Sequence, residues 1–442
     1  MQVRFSDEST AYDFAVAEIT VLSYAPTTGK RGDLRVTDTI EILIATGDIE
    51  EQQIVKDALN NWLALAYEQW ETVSQSRIYI EIKNNGDADW RRSELLGGRL
   101  QATRQTLDSH SQFKQEYNLI IERRNWWEWP EIQLGLSDDN ATFLDDDLMI
   151  LTSGAEPVYF GEVLGDPQTP VPVRIEIYNG GGFNACDTFY IAHNVFGTLN
   201  PLTDQHILEG ENSTETGTVT ANVYKRGDAY MARSWAGAID ENIFSWDLTA
   251  AQVAACAGRW YRVLAVINVP PASDLFLKVQ LEYPGGAGAP AFVPTEYYIN
   301  PTTDAGFQVV DLGAIQIPPT GFTSNPSPLV LSINGRSAVA DDIGLDFVQL
   351  APTDGFYKAS LVTLYNALVT EWIKFDGRIG KSYIVDDDEY EYLDFAEEPP
   401  HISLWPGRSQ WMTILHDNRV NGVEVNDTWG IQAFYRPRRV TV

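Results

Sequence analysis

Val36-Thr37-Asp38-Thr39-Ile40-Glu41-Ile42-Leu43-Ile44-Ala45-Thr46-Gly47-Asp48-Ile49-Glu50-Glu51 passes from one kind of backbone to another. Val36 to Ile44 is rich in β-branched residues and reads as a strand. Gly47-Asp48 stops it. Asp48 is suited to cap a helix, with Glu51 three residues later as its capping-box partner. Val55, Leu59, Trp62, Ala66 and Trp70 then recur every three or four residues, and Ala58, Leu63 and Tyr67 widen the stripe. That spacing predicts one amphipathic helix of roughly 22 residues whose apolar face is core.

Outward from this helix the period falls to two. Ile78, Ile80 and Ile82 alternate with Tyr79, Glu81 and Lys83, a half-buried strand closed by the turn residues Asn84-Asn85-Gly86-Asp87. Tyr117 to Glu122 is another strand. Past Trp126-Trp127-Glu128-Trp129-Pro130 the texture changes to short strands between turns: Val171–Tyr178, Phe189–His193, Thr218–Tyr224, Trp260–Val269, Leu275–Tyr283, Phe307–Leu312, Leu329–Ile333 and Leu345–Leu350. Thr249–Ala257 is a helical interruption, and Pro284–Pro290 is a glycine-rich loop. Leu361, Leu364, Tyr365, Leu368 and Trp372 fit a helical stripe, so 361–375 leans towards helix. Ile402–Trp405, Gln410–Leu415 and Thr428–Tyr435 read as closing strands. The fold class is mainly β. It comprises an N-terminal α+β unit with one amphipathic helix over 1–128, a β-sandwich of jelly-roll or galectin-like kind over 129–355, and a C-terminal β-rich segment over 356–442.

Composition narrows the function. The 442 residues carry 62 acidic and 31 basic side chains, a formal charge of −31. Neutralising phosphates needs a basic face, so sequence-specific nucleic-acid binding and docking on anionic lipid are excluded. The acidity serves solubility or lines a lumen that repels a passing polyanion. The segment Met1–Glu8 has no apolar core of a signal peptide, so synthesis in a cytoplasm is expected. No apolar run approaches the ~20 residues that span a bilayer. Cys186 and Cys256 are the only cysteines, enough for one disulfide or none.

No catalytic signature is present: no G-x-S-x-G elbow, H-E-x-x-H, phosphate-binding loop or dinucleotide fingerprint. No enzyme activity, cofactor or metal is therefore expected, and no catalytic residue is nominated. His110, His193, His206, His401 and His416 show no i, i+4 pairing. Asp145-Asp146-Asp147 and Asp386-Asp387-Asp388-Glu389 offer oxygen ligands without the spacing of a calcium loop, and read as solvated acidic loops. Trp126, Trp127 and Trp129 form either a stacking platform for sugars or a buried junction between modules. Arg31-Gly32-Asp33 reads as a turn. Asn140, Asn212 and Asn426 begin glycosylation sequons that act only in a secreted chain.

Two stretches carry a family resemblance. His401-Ile402-Ser403-Leu404-Trp405-Pro406-Gly407-Arg408-Ser409-Gln410, with Thr428-Trp429-Gly430-Ile431-Gln432-Ala433-Phe434-Tyr435-Arg436-Pro437-Arg438-Arg439, resembles the endings of tail proteins of long-tailed bacteriophages. There a Pro-Gly turn precedes a strand and the chain ends on an aromatic strand followed by Tyr-Arg-Pro-Arg. Arg123-Arg124-Asn125-Trp126-Trp127-Glu128-Trp129-Pro130-Glu131 resembles a second stretch of the same proteins, with Trp129 where they carry Gly. The arrangement is similar to the distal-tail (Dit-like) family. That resemblance implies a belt-like first domain, a homo-oligomeric and specifically hexameric ring joining tail tube to baseplate, other tail proteins as partners, and a place in the virion tail. It leaves two alternatives: a carbohydrate-binding, fibre-like protein that recognises a host surface glycan, and an envelope-polysaccharide hydrolase, which needs two carboxylates ~5–9.5 Å apart in a cleft.

Overall fold

The computed structural model describes the chain outside residues 8, 30–32, 70–76, 104–113, 138–148, 152–156, 168, 180–185, 195–205, 222–228, 236–240, 269–274, 283–290, 293–295, 300–306, 320–328, 338–340, 366–371, 379, 387–388, 393–401, 417–428 and 441–442. It is mainly β, built from several antiparallel sheets. The chain forms two compact units. The first joins Met1–Ile132, Leu164–Val171 and Tyr435–Val442; the second joins Gln133–Val163 and Pro172–Phe434.

The first unit contains β1 (Gln2–Ser6), β2 (Ala11–Asp13), β3 (Ile19–Tyr24), β4 (Arg35–Ala45), α1 (Ile49–Glu68), β5 (Tyr79–Lys83), β6 (Arg91–Ala102), β7 (Lys114–Arg124) and β8 (Trp127–Glu128). The strand order is β2-β1-β5-β6-β7-β4-β3, with β8 beside β6. The strand expected at Val36–Ile44 is present as β4, with Ile40, Ile42 and Ile44 buried and their neighbours turned outward. The Asp48 carboxylate accepts the Glu51 N–H at 2.8 Å, as a cap should. The reciprocal bond goes one residue further back, because the Glu51 carboxylate accepts the Gly47 N–H at 2.8 Å. Leu59, Leu63 and Ala66 bury the helix face, while Tyr67 stays exposed.

The helix can lie close to the sheet because β6 carries glycine where it crosses. Gly98 has φ +157°, and a Cβ there would stand 2.4 Å from the Ile120 carbonyl oxygen and 3.0 Å from Leu63 Cδ2. The register shifts between Leu95 and Gly97. The first part of β6 pairs with β5 and the second with β7, so one strand turns the corner of the sheet. β5 departs from expectation on its polar face: Tyr79 and Glu81 are buried too. Arg4 pairs with Glu81, and the Arg92 guanidinium lies 3.9 Å from the Tyr79 ring centroid, so charged stems cover what alternation alone exposes.

The second unit contains two pairs of sheets. In one pair, Leu136–Ser137, Pro157–Phe160, Gln410–His416, Cys186–Asn194 and Phe356–Tyr365 form one sheet. Met149–Leu151, Trp429–Tyr435, Val171–Asn179, Trp372–Asp376, Lys381–Asp386 and Glu389–Tyr392 belong to the other. Phe189 meets Phe375 edge-on between them at 5.8 Å. The strands of 356–442 are thus hydrogen-bonded to strands of 157–194 rather than standing apart. The other pair fills residues 207–352. Its sheets, one centred on Asp341–Pro352 and one on Leu329–Ser337 and Leu275–Glu282, close a core of Val263, Leu277, Val279, Leu331, Leu345 and their neighbours. This sandwich is inserted between Cys186–Asn194 and Phe356–Tyr365, which pair with each other.

The helical leaning at 361–375 is overturned. Phe356–Tyr365 and Trp372–Asp376 are strands, separated by residues outside the described set. Leu361 and Trp372 serve different sheets, and long-range pairing overrides a stripe that fits a helix only locally. The expected helix at 249–257 is present as Ala250–Cys256, with a full capping box between Thr249 and Gln252.

Candidate functional site

Of the two stretches that carry the resemblance, Arg123–Glu131 meets the end of the other, Tyr435–Arg439, in the first unit. The closing strand Arg438–Arg439 pairs antiparallel with β8, placing Arg438 opposite Glu128 and Arg439 opposite Trp127. Two bonds run from the Arg438 guanidinium to one Glu128 oxygen, at 2.7 and 2.9 Å, across 310 residues of chain. Arg92 Nε stands 3.4 Å from the other oxygen. The Trp129 N–H donates to the Pro437 carbonyl at 2.9 Å, and the Asp166 N–H to the Arg438 carbonyl at 2.8 Å. The Tyr435 hydroxyl accepts the Leu164 N–H at 2.9 Å. Three segments remote in sequence are sewn together here. Burial alone would raise the Glu128 carboxyl, but Arg438, Arg92 and Arg436 hold it below its ordinary value.

Each of the three tryptophans carries an arginine. Arg438 lies 4.6 Å and Arg124 5.7 Å from the Trp126 ring, Arg123 4.5 Å from Trp127, and Arg91 and Arg439 about 5 Å from Trp129. Each such stack contributes about 0.5–2 kcal/mol depending on how dry it is. Trp127 is fully buried in the core, and Trp129 packs against that core partly covered. The arrangement packs the arginines against the tryptophans and holds the closing strand to β8.

Beneath it lies a buried ion pair. Arg123 Nε is 2.6 Å from Asp38 Oδ2, and neither side chain is exposed. The Tyr24 hydroxyl donates to the same oxygen at 2.7 Å, and the Thr27 N–H donates to Oδ1 at 2.8 Å. The remaining guanidinium nitrogens donate to the carbonyls of Arg124 and Thr27 at 2.7 and 2.9 Å. Burial, and then the neighbouring Asp38 charge, push the Tyr24 hydroxyl well above its usual range. The arginines that build both networks sit in β6, at the end of β7 and near the C-terminal end of the sequence. Their only sequence signal was that basic residues in a strongly acidic chain gather around tryptophans.

The other nominated residues are scattered. His193 and His206 are buried in the second unit and share no cluster. Burial takes both imidazoles down to about 4. For His416 the strand alone is described, and His110 and His401 lie outside the described residues. Asp386 and Glu389 are backbone partners across a hairpin, but Asp387, Asp388 and Asp145–Asp147 lie outside the described residues. Arg31, Gly32, Asn140, Asn426 and Trp70 lie outside them too. Among the described residues no three His, Cys, Asp or Glu side chains are grouped as metal ligands. Cys256 is a free thiol, pushed up to about 12 by burial, so it is inert. No described helix is long and apolar enough to cross a membrane.

The first unit also holds the most exposed apolar side chains among the described residues: Val16, Leu34, Ile49, Ile54 and Tyr67, three of them on α1.

No family profile matches the chain, and no curated protein matches it. Among solved structures, it is similar to a chain of the phage p2 baseplate in its activated conformation with Sr. The identity is 11%, covering 80% of this chain and 98% of that one, with a TM-score of 0.20. It is also similar to chains of infectious bursal disease virus, Gx strain (8% identity, 80% and 81% covered, TM-score 0.17) and Gt strain (9%, 80% and 81%, TM-score 0.18). Scores this low carry no argument about this chain.

Proposed function

We propose that this chain is a structural protein of a phage tail, a ring-forming distal-tail or baseplate component that links the tail tube to host-recognition parts. The observation that carries this reading is the union of Arg123–Glu131 with Tyr435–Arg439. The stretches that resemble the tail family separately in sequence are bonded partners in space, as parts of one inherited structural element would be. The exposed apolar side chains on the same unit fit it for contact with neighbouring subunits. No catalytic role enters this reading. The acidic excess would line a channel and repel DNA passing through it, over the ~8–10 Å that salt leaves unscreened.

The test is to locate the subunit by electron microscopy in purified particles, and to measure the mass of the purified protein in solution. The expected result is a closed ring at the distal end of the tail tube, with Asp and Glu facing the channel. A strictly monomeric protein that is absent from the particles would refute the proposal.

A further inference from the structure

Within the second unit, the inserted sandwich 207–352 rests on the sheet formed by Cys186–Asn194, Gln410–His416 and Phe356–Tyr365. The seam is apolar: Tyr190, Ala192 and Leu415 on one side, and Ile207, Leu264 and Phe347 on the other. One connection between them runs through Thr353–Gly355, which packs tightly, since a Cβ on Gly355 would lie 2.0 Å from the His193 carbonyl oxygen. The other connection ends at His206. The carbonyl of His206 accepts the Leu350 N–H at 2.7 Å and the Gln349 side-chain amide at 3.2 Å, which fixes it to the insert. Its ring reaches into the seam, 4.9 Å from Trp411 on the supporting sheet and 5.5 Å from Tyr261 on the insert. The residue is 6% exposed, and among the described residues its Nε2 has no hydrogen-bond partner.

We propose that His206 is an acid-sensitive latch: protonation of its imidazole frees the inserted sandwich from the sheet that carries Trp411. An imidazolium at this position would be a buried cation with an unpaired N–H. Among the described residues, the groups packed around it offer no relief. Trp411, Leu350 and Gln349 are uncharged. Tyr261 brings a hydroxyl whose ionisation burial opposes, with the equally buried Cys256 thiol beside it. Arg259, the charged group acting on the ring, is itself cationic. Its carboxylate partner, Asp354, lies 3.7 Å from that guanidinium and is mostly in solvent. Opening the seam returns the imidazole to water, where it takes its proton near 6.5 instead of about 4.

From these two values, linkage multiplies the opened fraction by about thirty on going from pH 7.5 to pH 5. Hydrogen exchange of the full chain, corrected for intrinsic rates, reads this at residues 207–209 and 410–416. The expected result is increased exchange confined to the seam and absent from His206→Phe. An increase under threefold, or an equal increase in His206→Phe, overturns the latch. His206→Gln with near-UV circular dichroism at pH 7.5 serves if the Phe variant misfolds. If neither variant folds, the native profile decides: exchange limited to the seam supports the latch, and a simultaneous rise through the whole chain refutes it.

Discussion

Replacing Arg123 by Met should be among the most damaging single changes in the first unit. The substitution removes the cation that Asp38 faces at 2.6 Å, in a place where neither side chain is exposed. Among the described residues Asp38 keeps only the Tyr24 hydroxyl and the Thr27 N–H, the Thr27 carbonyl loses its guanidinium donor, and the Arg124 carbonyl keeps only the Ser93 hydroxyl. Breaking a buried pair from one side costs about 3–5 kcal/mol, because the surviving charge is left uncompensated. For a unit of this size, that lowers the melting temperature by roughly 10 °C. Asp38→Leu should cost a similar amount for the opposite reason, a stranded guanidinium. The double variant removes both charges and leaves only neutral groups unpaired, at about 1–3 kcal/mol each, so it should cost clearly less than the sum of the singles. Calorimetry gives the transition, and hydrogen exchange of β4 and β7 localises it. Insensitivity of the native pair to salt is also expected, since screening does not reach it. Single variants that lose under 1 kcal/mol, or a double variant that is simply additive, would refute the view that this pair is buried and coupled.

Three further outcomes follow from the same contacts. Asp48→Ala should cost about 1 kcal/mol by freeing the Glu51 N–H, read as faster exchange in the first turn of α1. Glu128 is held below its ordinary value, so its share of stability is full above that value and is lost as pH falls through the lowered one. Glu128→Gln should therefore destabilise the first unit at pH 7 and flatten its stability profile on the acid side, in urea titrations at several pH values. Gly355→Ala should strain the connection against the His193 carbonyl and lower the melting temperature of the second unit, whereas Gly407→Ala, with open space around it, should cost only the strain of its positive φ.

Legibility followed the reach of each signal. The strand of 275–282 was readable because one buried face writes itself as a two-residue period, and those of 260–268 and 410–416 because a short apolar run between turn residues marks a strand covered on both faces. The helix and its cap were readable because capping is local. β6, Arg-Arg-Ser-Glu-Leu-Leu-Gly-Gly-Arg-Leu-Gln-Ala, was not. Its arginines point into ion pairs and its glycines mark a corner, so neither pattern nor propensity betrays a central strand. Residues 361–375 misled for the reason that a short apolar stripe fits both periods, and only pairing across 170 residues or more decides. The insertion of one sandwich into another leaves no local mark at all.

The candidate site was half legible, and the missing half is electrostatic. The tryptophans announced a packing site, and the sequence left open whether rings or sugars fill it. What the sequence could not show was where the few basic residues go in a chain of net charge −31. Arg91, Arg92, Arg123, Arg124, Arg438 and Arg439 converge on one corner of the first unit, each over an aromatic ring, and five of them are also paired with carboxylates there. Most of these cations are matched by carboxylates in the same lattice, so the outer surface keeps the strong acidic excess of the composition. Like copies of such a surface repel unless apolar contacts bring them together, and Val16, Ile49, Ile54 and Tyr67 stand exposed on this same unit. An assembly through this unit should therefore strengthen as salt screens the acidic surface, while the internal arginine lattice, being drier, holds at the same salt. Lowering ionic strength should loosen the assembly and leave the fold of the unit intact.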